Sequence, residues 1–106
     1  DALSYEILCK MLAHYHESIE PVATLEFLAD LPIAVSSTKR LLVMMPVDLV
    51  QWDKRTEQIF ETLSRRLSMV GYVYPELIVT GSLTDKSRRG LVLFGFSYRE
   101  HFLTRL

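Results

Sequence analysis

The sequence predicts a single small α+β domain, with two to three helices and a small antiparallel sheet that ends in a C-terminal β-hairpin. Two observations carry the prediction. Apolar residues recur at intervals of three and four near the N-terminus and again between residues 56 and 70, the period of a helix with one buried face. Between residues 76 and 98 the pattern changes to two strand-like runs on either side of a charged turn. The composition agrees. With 49% hydrophobic and 24% charged residues over 106 positions, the chain has the make-up of a folded domain with a modest core.

From Ala2 to Glu17 the residues Leu3, Ile7, Leu8, Met11, Leu12 and Tyr15 lie along one stripe of a four-turn helix, which should stop between Ser18 and Pro21 because proline disfavours helical geometry in the residue before it. Val22 to Leu31 fits a short second helix better than a strand, with Pro32 ending it. Pro32 to Ser37 reads as a short strand, then a polar turn leads into Leu41 to Met45, a β-like run buried on both faces. Pro46 to Gly71 is a long helical region. Asp48 with Gln51 is one N-terminal capping pair, and Asp53 is the alternative cap for a helix that begins after Trp52. The stripe Ile59, Phe60, Leu63, Leu67 and Val70 faces inward, and Gly71 supplies a left-handed stop. Glu76 to Thr84 and Leu91 to Tyr98 then form the hairpin, with residues 85–90 as its tip. Val92, Phe94, Phe96 and Tyr98 alternate onto one face of the second strand.

Several classes of function are disfavoured at once. The longest apolar stretch, Leu41 to Val50, is broken by Pro46 and Asp48, so no membrane span is encoded. The single Cys9 cannot form an intramolecular disulfide, which points to a reducing compartment and a cytoplasmic protein. There is no initiating Met and no signal-peptide pattern, and the chain starts inside a helix-like segment; the expectation is one domain, residues 1–106, excised from a longer protein.

Catalysis is poorly supported, and the expectation is a non-enzyme with no catalytic residue. Ser36 and Lys39 have the S-x-x-K spacing of one class of serine acyl-enzymes, yet its companion elements are missing and a polar turn explains both residues. Gly71, Gly81, Gly90 and Gly95 form no phosphate-binding pattern. His14 and His16 are about 200° out of phase on a helix, so one metal cannot take both from it. No metal, cofactor or small-molecule substrate is predicted.

Charge is the remaining signal. Net charge is -1, but residues 1–53 carry three basic and eight acidic groups while residues 54–106 carry nine basic and five acidic. Such asymmetry marks an anion-binding half, or two halves that attract one another across the fold. Arg65 and Arg66 on the long helix and Lys86, Arg88 and Arg89 at the hairpin tip are the candidate phosphate contacts. Gln58, Thr62 and Arg65 are the candidates to reach base edges. Glu57, Glu61 and Asp85 dilute the positive field.

The order of helix, possible helix, strand, helix, strand, basic turn and strand resembles a winged-helix domain. The phrase from Leu63 to Tyr72 looks like the end of that family's recognition helix, and Arg40 to Pro46 followed by helix and wing is similar to C-terminal winged-helix domains of conjugative relaxases. The resemblance covers about the last 65 residues and implies DNA binding by helix and wing. Its departures are the position of the strongest strand, directly before the candidate recognition helix, and an acidic overall balance. An alternative packing pairs Leu41 to Met45 with the hairpin as a three-stranded antiparallel sheet, with helices on one face. The expected function is a nucleic-acid-binding module. The alternative is a protein-interaction or assembly module using Trp52, Tyr72, Tyr74 and Phe102 as exposed apolar surface.

Overall fold

The computed structural model describes residues 2–28, 31–71 and 73–103. Helix α1 (Ala2–Ser18) is followed by β1 (Val22–Leu28), β2 (Leu31–Ser36), β3 (Arg40–Met45) and the two-residue β4 (Leu49–Val50). Then come α2 (Lys54–Val70), β5 (Val73–Val79), the two-residue β6 (Ser82–Leu83), α3 (Asp85–Leu93) and β7 (Ser97–Arg99). Five strands form a mixed sheet in the order β1-β2-β3-β5-β7. The first three are an antiparallel meander, whereas β3, β5 and β7 run parallel. Parallel neighbours need a crossover, and α2 and α3 provide the two that this sheet requires. The short β4 and β6 pair in parallel beyond the C-terminal ends of β3 and β5.

Alternation along the strands divides the core in two. Met11 and Tyr15 of α1 pack with Ala34, Leu42, Met44 and Ile78 on one face of the sheet. Phe60, Leu63 and Leu67 of α2 and Leu91 of α3 pack with Ile33, Leu41, Val43, Leu77 and Val79 on the other. Strands β3 and β5 are thus covered on both faces, as their near-continuous apolar runs require. The architecture is three layers, with α1 below the sheet and α2 and α3 above it.

The chain is α+β with three helices, though the third is α3 and not residues 22–31, and α2 starts at the second of the two expected caps, so the helical region does not reach back to Pro46. Asp53 accepts a 2.8 Å hydrogen bond from the Thr56 amide, and Gly71 closes the helix at φ 78°. Other expectations need correction. Val22–Leu28 is a strand: it pairs with β2 from Val22↔Ser36 to Leu28↔Leu31, and that pairing overrides its weak helical pattern. The C-terminal β-hairpin is not formed. Residues 85–93 are helix α3, and β5 and β7 are parallel neighbours, so the expected wing is replaced by a β-α-β unit. The predicted alternative, a three-stranded antiparallel sheet, fails for the same reason. It had Leu41–Met45 beside β5 correctly, but in parallel register and with helices on both faces.

Helix α3 forms because Thr84 caps it. Its hydroxyl accepts from the Ser87 amide at 3.1 Å and donates to Ser87 Oγ at 2.9 Å. Ser87, Gly90 and Leu91, at helical spacing, are the residues it buries. Gly90 sits against Trp52, where a Cβ would overlap the indole ring.

Candidate nucleic-acid interface

The three-layer packing sets two basic helices, α2 and α3, side by side on one face of the sheet. Helices α2 and α3 together carry seven basic and three acidic side chains, while α1 on the opposite face carries Glu6 and Glu17 against Lys10. Buried positions of α2 point to the sheet, which leaves Lys54, Arg55, Gln58, Arg65 and Arg66 exposed on its outer and flanking surfaces.

The predicted residues are only partly brought together. Gln58 and Arg65 lie within one outward sector of α2, and Thr62 is half-buried toward the flank. Arg65 approaches Glu61 at 3.9 Å in an exposed pair that holds neither side chain firmly. Arg66 lies on the other flank of α2, at a mainly apolar cleft of about 300 Å³ that Phe27, Ile33, Leu67, Met69 and Val70 also line, together with the acidic Glu26. Lys86 and Arg89 are exposed on α3 and have no ion pair among the described residues. They belong to a helix beside α2 and not to a hairpin tip.

Arg88 is a structural residue. Its guanidinium donates to Glu100 Oε1 at 2.8 Å, to Glu100 Oε2 at 3.1 Å and to Asp85 Oδ1 at 2.6 Å. Glu100 also accepts from the Leu83 amide at 2.7 Å, so one carboxylate ties α3 to the β6 strand. The Arg88 hydrogen bonds hold the Glu100 carboxyl below its ordinary range, with the Leu83 amide adding to the effect, and Arg88 is correspondingly held in its charged form. This fork geometry was not legible in sequence because the partners are twelve residues apart.

The apolar surface expected around Trp52 and Phe102 is also corrected. Trp52 is buried, its ring 5.7 Å from Phe60 and 6.1 Å from Phe94, and Phe102 is buried beside His14 at 5.1 Å. Tyr72 and the side chain of Tyr74 lie outside the described residues. His14 and His16 serve α1 locally: His16 Nδ1 accepts from the Val22 amide at 2.9 Å, and His14 Nδ1 lies 3.4 Å from Ser18 Oγ.

A polar cluster under the sheet, with Glu76 and Tyr15 buried and two arginines partly exposed, had no sequence signal. Arg40 of β3 and Arg99 of β7 reach Glu76 Oε2 from either side, at 3.9 and 3.6 Å. Glu76 Oε1 and the Tyr15 hydroxyl are both buried without a hydrogen-bond partner among the described residues. Burial, reinforced by Glu20 and by Glu76 against the opposing arginines, raises the Tyr15 phenol above its ordinary value of 10.0. Strand register sets Arg40, Glu76 and Arg99 of β3, β5 and β7 side by side, and the packing of α1 on the sheet adds Tyr15. No group of three His, Cys, Asp or Glu among the described residues is placed to hold a metal ion, and no described helix is long and apolar enough to cross a membrane.

The three-layer α/β/α class follows from the sheet order and the two crossovers. No protein-family model matches the chain, and no curated protein matches it. Among solved structures, EndoMS in its apo form is similar in fold. The TM-score is 0.60 at 17% identity, and the match covers 92% of this chain and 45% of the EndoMS chain. The chain thus spans less than half the length of that neighbour, and the likeness is one of fold.

Proposed function

We propose that this domain is a non-enzymatic nucleic-acid-binding module that meets phosphates through the exposed face of α2 and α3. The observation that supports it is the charge of the two helices on one face, seven basic and three acidic side chains, among which Arg65, Arg66, Lys86 and Arg89 are exposed. Arg65, Arg66, Lys86 and Arg89 are the phosphate contacts, and Gln58, about two turns before Arg65 on the same outward sector, is the group available to a base edge. Arg88 keeps α3 in place and does not bind. Attraction between the two halves explains less of the charge, because Arg65, Arg66, Lys86 and Arg89 are all exposed.

The test compares the faces. Arg65→Glu with Lys86→Glu and Arg89→Glu should abolish binding of a generic labelled duplex, whereas Lys10→Glu on α1 should leave it within about twofold. An interface of about four phosphates loses roughly a hundredfold in affinity between about 50 and about 200 mM salt. Equal losses from both variants would remove the proposal. A second reading, an assembly surface, is favoured by the cleft between β1 and α2, where Phe27 is 72% and Met69 85% exposed. It predicts partner binding that is insensitive to salt and lost in Phe27→Ser.

A further inference from the structure

At the β7 edge of the basic face, a shallow cleft of about 410 Å³ is lined by Arg88, Arg89, Val92, Leu93 and Tyr98. Its chemistry is mixed in a specific way. Val92 and Leu93 stand 61% and 85% exposed, although a helix packed on a sheet normally turns polar residues outward. Tyr98 is paired in register with Leu77, whose side chain belongs to the core under α2 and α3, so its ring lies on the same side of the sheet as α3. Arg89 is one helical turn before Leu93, exposed and without an ion pair among the described residues. Arg88 is immobilised by Glu100 and Asp85, which fixes one end of the cleft and neutralises its charge.

We infer that this cleft takes an unpaired nucleobase, stacked on Tyr98 against Val92 and Leu93, with the adjoining phosphate on Arg89, so that the domain prefers single-stranded nucleic acid over duplex. The inference rests on the proposed function and narrows its substrate. In a duplex the base faces are covered by their neighbours, so an apolar cleft gains nothing from it. A single strand can turn a base out onto an aromatic ring while its backbone stays on a basic surface. An apolar peptide would suit Val92 and Leu93 equally well, but it would leave Arg89 and the positive surface around it without a partner. The chemistry is common to single-stranded DNA and RNA.

The experiment is fluorescence anisotropy with labelled oligo-dT, oligo-U and a mixed-sequence duplex of equal length, each across a salt series. The wild type should bind one or both single strands more tightly than the duplex. Tyr98→Ala should weaken single-strand binding by about tenfold or more, and Tyr98→Phe should retain it. Arg89→Ala should lower the salt slope by about one unit for the same strand. Leu93→Ser alters only an exposed side chain and should also weaken single-strand binding, which keeps the inference testable if Tyr98→Ala folds poorly. Duplex affinity should be the same in Tyr98→Ala as in the wild type. Single-strand affinity unchanged in both Tyr98→Ala and Leu93→Ser, or equal affinity for strand and duplex, would overturn the inference while leaving the proposed function standing. Absence of binding to all three probes at low salt would remove both.

Discussion

At the residue scale, two glycines and one carboxylate decide how the basic face is built. Gly90 lets α3 approach Trp52, and Gly81 lets the loop before β6 lie against the Asp48 backbone, where a Cβ has no room. Gly90→Ala should cost about 1–3 kcal/mol in urea unfolding, the usual range for overpacking. Gly81→Ala should cost at least as much, because backbone yields less readily than a side chain. Glu100 is the third such residue. Its folded-state pKa lies below the ordinary 4.5, so its stabilisation is complete above that pH and is lost as pH falls through the folded value. As pH falls below the ordinary 4.5 the wild type should therefore lose more stability than Glu100→Gln, measured by urea unfolding at each pH. Equal slopes would contradict the assigned role of the Arg88 and Glu100 pair. The same pair explains why sequence misassigned Arg88. A guanidinium in a basic run looks free until the fold brings up a carboxylate from beyond the helix.

At the element scale, legibility followed how local the deciding signal was. Helix α2 could be read because its stripe, its Asp53 cap and its Gly71 stop all lie within nineteen consecutive residues. Asp53→Ala should lower the melting temperature and speed amide exchange at Thr56, as hydrogen exchange would register. Strand β1 was misread because Val22, Leu25, Phe27 and Leu28 fit either period over so short a span, and only pairing with β2 decides between them. Helix α3 was misread for two reasons. Gly90 resembles a hairpin turn until Trp52 is known to press on it, and Val92, Phe94, Phe96 and Tyr98 alternate as a strand would. The structure breaks that alternation at Gly95, φ 83°, where the chain leaves α3 and enters β7. Arg65 and Arg66 lie on the helix the sequence assigns them to, whereas Lys86, Arg88 and Arg89 lie on α3 and not on a hairpin tip. They sit on two helices of one layer, which gives a broader and flatter surface than a helix and wing would.

At the scale of the whole molecule, the excess of basic over acidic groups in the second half of the chain is carried largely by α2 and α3, whereas α1 is near neutral with Glu6 and Glu17 against Lys10. Beneath the sheet, the Tyr15 hydroxyl, buried without a hydrogen-bond partner among the described residues, predicts two outcomes. At neutral pH, Tyr15→Phe should be as stable as the wild type or more so, since a buried hydroxyl without a partner contributes only a desolvation cost. In alkali the buried phenol resists ionisation in the folded state, so stability is unaffected below the unfolded value of 10.0 and falls as pH rises above it. The wild type should accordingly destabilise above about pH 10 more steeply than Tyr15→Phe. A marked loss of stability in Tyr15→Phe at pH 7 would mean that the hydroxyl is satisfied after all.

The central claim, that the α2 and α3 face is where nucleic acid binds, is tested most directly by titrating the isotopically labelled domain with a short oligonucleotide and mapping amide shift changes. Changes concentrated in residues 54–70 and 85–93, and suppressed by added salt, are the predicted result. Changes centred on residues 2–18, or none at low salt, would contradict it.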